Sequence, residues 1–279
     1  MANSGRIAAK FRELGARDEA ALIPYIVAGD PDLETTGRLV IELEHRGADL
    51  IELGVPFSDP MADGPANQRA AARGLSSGAS LHAILSMVKE LRSRTEIPIV
   101  LFGYYNPIFH YGCERLCADA ARAGIDGLLV VDLPPEEAAE LRKPARENGL
   151  DLIYLLAPTT PLDRAQRIAR SASGFLYYVS VTGVTGARAE LASDLEEHVR
   201  RIKDVAALPV GVGFGISTPE QAARVAAFAD AVIVGSALSL MIESNLRSPE
   251  LVTAVGAMVG AMKDAMRAVR RCGEAEAAR

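Results

Sequence analysis

The sequence predicts an α/β fold, a single closed (β/α)8 barrel with an extra helix at its N-terminus. Two observations carry this. Eight short apolar runs alternate with helical patterns along the chain, which matches the size and period of such a barrel, about 250 residues in eight units. The residues suited to chemistry follow the second, sixth, seventh and eighth runs, and in a barrel those strand ends share one rim. An open doubly wound sheet is the rival reading, because alternation alone does not close a sheet. No linker or low-complexity stretch divides the chain, so residues 1–279 are expected to form one domain.

The elements follow in order. A helix over Gly5 to Leu14 precedes the first strand, Ala21 to Val27. Later strands are expected at Leu50 to Gly54, Ile97 to Phe102, Gly127 to Val131, Asp151 to Leu156, Phe175 to Val179, Pro209 to Gly213 and Ala231 to Val234. Continuous short apolar runs of this kind suit strands covered on both faces. Between them lie helical patterns at Leu33 to Arg46, Leu81 to Arg94, Cys113 to Ala123, Pro135 to Asn148, Leu162 to Ser171, Asp194 to Lys203 and Pro219 to Ala227, and a last one near Pro249 to Ala268. Gly47, Gly124 and Gly149 each stand just past a helical pattern, where a left-handed cap favours glycine. Ser80, Thr160-Pro161 and Ser217-Thr218-Pro219 supply helix starts. Met258, Met262 and Met266 fall on one face of the last helix, which is too short in its apolar part to span a bilayer.

Composition narrows the function classes. A net charge of −6 argues against a nucleic-acid partner, and Arg267, Arg270 and Arg271 read as a solvated helix end. Three cysteines form no framework of disulfides, which suits a reducing cytoplasm; Cys113 and Cys117, four apart on a helix, are expected to pack as small apolar groups. The four histidines have no metal-ligand spacing, so no metal site is expected. The first residues lack the apolar core of a signal peptide.

Glu52 lies inside the apolar run Leu50 to Val55, where an ionised carboxylate is expensive unless it is paired or used. Asp63 follows eleven residues later in a loop rich in Pro and Gly. One acid on a strand and one on the next loop suit acid/base chemistry. Spacing does not separate Asp63 from Asp59, and either could cap a turn or the helix starting near Pro65. Three glycine-rich stretches, Gly183 to Gly186, Gly211 to Gly215 and Gly235-Ser236, stand at late strand ends. They suit a phosphate held by backbone N–H groups and a hydroxyl, with Gly235 through Ser239 opening a short helix, or they simply make tight turns. Tyr25, Tyr104, Tyr105, Tyr177 and Tyr178 lie in or beside strands and either line an apolar pocket or pack the barrel.

The segment Glu52 to Pro65 resembles the signature of the tryptophan synthase alpha subunit family. Further resemblance lies in Pro24 to Pro31, Gly103 to Pro107, Gly183 to Gly186, Gly213 to Ser217 and Gly235 to Ala237, in order over residues 20–240. The resemblance implies a TIM barrel that cleaves indole-3-glycerol phosphate to indole and glyceraldehyde 3-phosphate by a retro-aldol reaction, without a cofactor of its own. It implies Glu52 as general acid/base and Asp63 as the group that holds the indole N–H. It places substrate contacts at Tyr25, Tyr104, Tyr177 and Thr185, and phosphate contacts at Gly186, Phe214, Gly215, Gly235 and Ser236. Thr185 would lie on a loop that closes onto Asp63, with Arg188 just beyond. The implied partner is a beta subunit carrying pyridoxal phosphate, in an alpha2beta2 heterotetramer in the cytoplasm, met by Pro56 to Pro60 and Tyr105 to Phe109. Val27, Met61 and Asn67 depart from the pattern; Asn67 stands where relatives often carry an apolar residue, and the three bear on substrate fit and partner affinity. Another phosphate-binding barrel enzyme and a catalytically weak regulatory module are the competing readings.

Overall fold

In the computed structural model, which describes residues 5–180, 190–213 and 215–277, the eight apolar runs are eight parallel strands. They are β1 (Ala21–Val27), β2 (Ile51–Gly54), β3 (Ile99–Gly103), β4 (Gly127–Val130), β5 (Asp151–Leu156), β6 (Leu176–Val179), β7 (Val210–Gly213) and β8 (Ala231–Val234). Each pairs with the next and β1 also pairs with β8, so the barrel closes and the open sheet is excluded. Strand β3 starts at Ile99, not Ile97, because the Ile97 N–H is taken by Thr95 Oγ1 at 3.0 Å and Pro98 has no N–H to give.

Around the barrel run α1 (Arg6–Gly15), α2 (Leu33–His45), α3 (Pro65–Ser76), α4 (Leu81–Leu91), α5 (Tyr105–Tyr111), α6 (Cys113–Ala123), α7 (Ala139–Glu147), α8 (Leu162–Ser171), α9 (Glu190–Val205), α10 (Pro219–Ala226), α11 (Ser236–Ser244) and α12 (Leu251–Ala277). Gly47, Gly124 and Gly149 have φ of +97°, +91° and +72°, as the helix ends require. Ser80 caps α4, and Thr218 forms a capping box with Gln221 on α10. Thr160 does not cap α8; its hydroxyl accepts the Ala157 N–H instead. Helix α7 begins at Ala139, not Pro135, because the Glu137 N–H closes a turn on Pro134 O. Cys113 and Cys117 are buried among apolar neighbours, and Met262 and Met266 bury the inner face of α12.

The barrel ends differ. At the N-terminal end α1 is a plug: Ile7 and Leu14 are buried in the barrel interior, and the Phe11 ring lies 5.8 Å from that of Phe175. Here three aspartates repeat one device. Asp49, Asp126 and Asp230 each precede a strand and accept a backbone N–H from the strand beside it, that of Leu22, Ile99 and Val210. Each is matched by a cation, Lys263, Arg92 and Lys203 respectively. The C-terminal end is left for the loops, which is where this architecture builds its sites.

Candidate active site

Glu52 is held by the pleat. It lies level with Tyr25 on β1 and Val100 on β3, and alternation turns all three into the barrel. Its side chain is fully buried, and neither carboxylate oxygen has a hydrogen-bond partner among the described residues. Burial pushes its pKa well above the usual carboxylate range. The surroundings are aromatic: Tyr25 and Phe102 meet edge to face at 4.9 Å, and Phe102 and Tyr177 lie 6.5 Å apart.

Two glycines make room for those rings. A Cβ on Gly54 would run into the Tyr25 hydroxyl, and one on Gly213 into that of Tyr177. This corrects the reading of Gly211 to Gly215 as one ligand-holding stretch. Gly211 and Gly213 belong to β7 and give space to interior side chains, Ile233, Ala231 and Phe175 at the first and Tyr177 at the second. Of the described residues in that stretch, Gly215, with φ of +73°, is the one that reaches the cavity.

Asp63 arrives from the loop after β2. A turn closed by its N–H on Pro60 O, at 3.0 Å, aims it inward. The N-cap of α3 is Gly64, so Asp63 does not serve as its cap. Its carboxylate instead accepts the Tyr104 hydroxyl at 2.8 Å, with the Asn67 amide as a second polar neighbour that favours its charged form. Burial holds its pKa above the usual carboxylate range, and those two groups lower it only in part. The Tyr104 oxygen also accepts the Ala62 N–H at 3.0 Å, which ties the loop to the end of β3. Asp59 is exposed and takes the Ser58 hydroxyl at 2.6 Å. Of the two aspartates, Asp63 is the one that lines the cavity.

One cavity of about 400 Å³ collects Tyr25, Glu52, Asp63, Tyr177, Gly215, Gly235 and Ser236. Its apolar wall adds Phe102, Val131, Leu155 and Val179, which were not singled out in the sequence although each sits at a strand end. In the same cavity Gly235 and Ser236 open α11, whose first N–H groups have no partner within the helix. No Lys or Arg lines the cavity among the described residues. Tyr104 touches the site through Asp63, whereas Tyr105 turns away to Cys113 and Glu140, and Tyr178 packs outside the barrel against His198. Thr185, Gly186, Arg188 and Phe214 lie outside the described residues. No group of acidic, His and Cys side chains able to hold a metal occurs among the described residues.

A buried acid on a strand, a second acid on the next loop and a cavity that opens onto a helix start can be compared with known proteins. The family model described as Tryptophan synthase alpha chain matches residues 11–267. The chain belongs to that family. It is 57% identical over 258 residues to the tryptophan synthase alpha chain of Geobacter sp. (strain M21), covering 92% of this chain and 96% of the relative. It is 55% identical over 264 residues to that of Geotalea uraniireducens (strain Rf4), covering 95% and 98%. The crystal structure of tryptophan synthase subunit alpha from Legionella pneumophila str. Paris matches with a TM-score of 0.87 at 42% identity, covering 94% of this chain and 98% of that one. As a tryptophan synthase alpha chain it is a lyase of tryptophan biosynthesis, with indole-3-glycerol phosphate as substrate and a beta subunit as partner. Alpha chains bind no cofactor of their own; pyridoxal phosphate belongs to the beta subunit.

Proposed function

We propose that Glu52 and Asp63 divide the retro-aldol cleavage of indole-3-glycerol phosphate between them. The observation that carries this is the pair itself: a dry, unpartnered acid on β2 facing a cavity shared with a hydrogen-bonded carboxylate. Burial raises the pKa of Glu52 well above the usual carboxylate range, which suits it to hold a proton and deliver it to ring carbon C3 of the indole. The positive charge then falls on the ring nitrogen. Asp63 accepts the indole N–H and offsets that charge in a site where water does not screen it. The glycerol hydroxyl next to the ring gives up its proton to the Glu52 carboxylate. As the carbonyl forms, the carbon–carbon bond breaks and its electron pair restores the aromatic ring. The products are indole and glyceraldehyde 3-phosphate, and Glu52 is protonated again.

Tyr25 and Tyr177 flank the ring in this reading, and Tyr104 acts through Asp63. In this reading the phosphate sits on Gly215, Gly235 and Ser236 at the start of α11. The exposed Met61 and Phe109, on the rim beside the site, suit the side that meets the beta subunit in an alpha2beta2 assembly. We place the protein in the cytoplasm and take residues 1–279 as one domain; no helix among the described residues is long and apolar enough to cross a membrane. The test is indole release from indole-3-glycerol phosphate by wild type and Glu52→Gln. Glutamine keeps the shape and loses the proton, so release should fall by several orders of magnitude in a folded protein. Wild-type rates in Glu52→Gln would end the assignment.

A further inference from the structure

We infer that Asn67 is a positioning residue, which takes its own orientation from helix α11 and imposes it on the Asp63 carboxylate. The inference rests on the role proposed above for Asp63. Asn67 is the third residue of α3 and lines the same cavity. Its Oδ1 accepts the Ser239 hydroxyl at 2.9 Å, and the rest of its amide is close enough to Asp63 to favour that group's charged form. These two contacts fix each other. An ionised carboxylate only accepts, so the amide NH2 faces Asp63, the amide oxygen is left to Ser239, and the Ser239 hydroxyl must donate. Ser239 is 2% exposed and lies within the first turn of α11, the end at which Gly235 and Ser236 line the cavity.

The two helices are also held in register at the surface. Arg69 grips Glu243 with two bonds of 2.7 Å, and Arg73 joins Glu243 to the buried Asp30. Asn67 therefore meets Ser239 at a set height. Asp63 is gripped from two sides, by Tyr104 at the end of β3 and by Asn67 on α3. The other titratable groups that bear on the site are Glu52 from β2, Tyr25 from β1 and Tyr177 from β6, and none of them is a cation. Tyr104 and Asn67 are thus the two donors that offset the burial of Asp63 among the described residues. If Asn67 merely stapled α3 to α11, its loss would lower stability and leave the titration of Asp63 alone. If it positions the carboxylate, its loss also raises the proton affinity of Asp63 and weakens the reaction more than the binding.

The experiment compares wild type, Asn67→Leu, Ser239→Ala and the double variant. The Asp63 carboxyl is followed by 13C NMR through a pH titration of the unliganded protein, its signal assigned by its absence in Asp63→Asn. Steady-state indole release is measured across pH with indole-3-glycerol phosphate. The expected result is a titration moved to higher pH in Asn67→Leu, with the acid limb of the kcat profile moved the same way. The fall in kcat should be about ten- to a hundredfold, the size of one lost hydrogen bond to a charged group, with KM changed far less. Ser239→Ala should act in the same direction by less, and add nothing to Asn67→Leu. An Asp63 titration that stays where it was in folded Asn67→Leu overturns the inference. If that variant does not fold, Ser239→Ala decides alone: an unmoved titration overturns the inference and a raised one supports it. Wild type that fails to cleave the substrate would refute the proposed function, while the NMR titration would still judge Asn67.

Discussion

Replacing Glu52 with leucine should make the protein more stable and leave it inactive. The carboxyl group is fully buried and finds no hydrogen-bond partner among the described residues. A buried polar group left in that state costs about 1–3 kcal/mol. Leucine offers the surrounding Tyr25, Phe102 and Tyr177 apolar atoms in nearly the same space, so most of that cost should be recovered. An unfolding entropy of about 2.1 cal/mol/K per residue, over 279 residues, gives roughly 0.6 kcal/mol/K, so the melting temperature should rise by about 2–5 °C. The gain should also depend on pH. Burial raises the folded-state pKa of Glu52 above its unfolded value, so between the two values the folded chain holds a proton that the unfolded chain has lost. Wild-type stability then falls as pH rises from the ordinary glutamate range toward the raised value, and leucine abolishes that slope. Calorimetric scans of both proteins should show a larger gain at about pH 8 than at about pH 5. A leucine variant that melts at or below wild type at both pH values would refute the reasoning, since Glu52 would then have to be held by a partner and serve the fold.

Three further outcomes follow from the same geometry. Tyr104→Phe removes the donor to Asp63 and the acceptor of the Ala62 N–H; turnover should drop about ten- to a hundredfold, with the acid limb of the pH–rate profile moved to higher pH because the ionised Asp63 loses support. Gly213→Ala places a methyl group against the Tyr177 ring; urea melts should show a loss of about 1–3 kcal/mol, together with reduced turnover as the ring shifts over Glu52. Lys263→Met breaks the buried ion pair of 2.7 Å with Asp49; equilibrium unfolding should show a loss of about 3–5 kcal/mol, partly restored by adding Asp49→Asn, while the rate per folded molecule stays unchanged at the far end of the barrel.

Much of the fold was legible because its signals are local. Strands covered on both faces are apolar without alternation, and the glycines at 47, 124 and 149 mark helix ends by a backbone conformation that other residues resist. Closure was not legible in the same way. Nothing in Ala21 to Val27 identifies Ala231 to Val234 as its neighbour; the inference came from the number of units. Helix α5 was missed for a related reason. It has seven residues, contains Pro107, and is started from outside, by the Asp132 carboxylate accepting the Tyr105 N–H at 2.8 Å. Thr160 shows the ambiguity of a hydroxyl: the same residue type that caps a helix closes a turn on Ala157.

The site shows the same division between local and distant causes. Glu52 stood out because a charge inside an apolar run is costly wherever the run ends up. Asp63 and Asp59 could not be separated along the chain, since the residue that separates them, Tyr104, lies some forty positions away and bonds only one. The glycines of β7 were harder still. A missing Cβ looks the same in sequence whether it admits a ligand or a tyrosine ring. At Gly54 and Gly213 it admits Tyr25 and Tyr177, and this joins the fold to the chemistry. The two rings help to keep water from Glu52, and a dry Glu52 keeps its proton. The acidity of Glu52 is therefore set partly at two positions that carry no side chain, and, on the role proposed for Glu52, a methyl group added at either should change the pH dependence of the reaction without touching the acid.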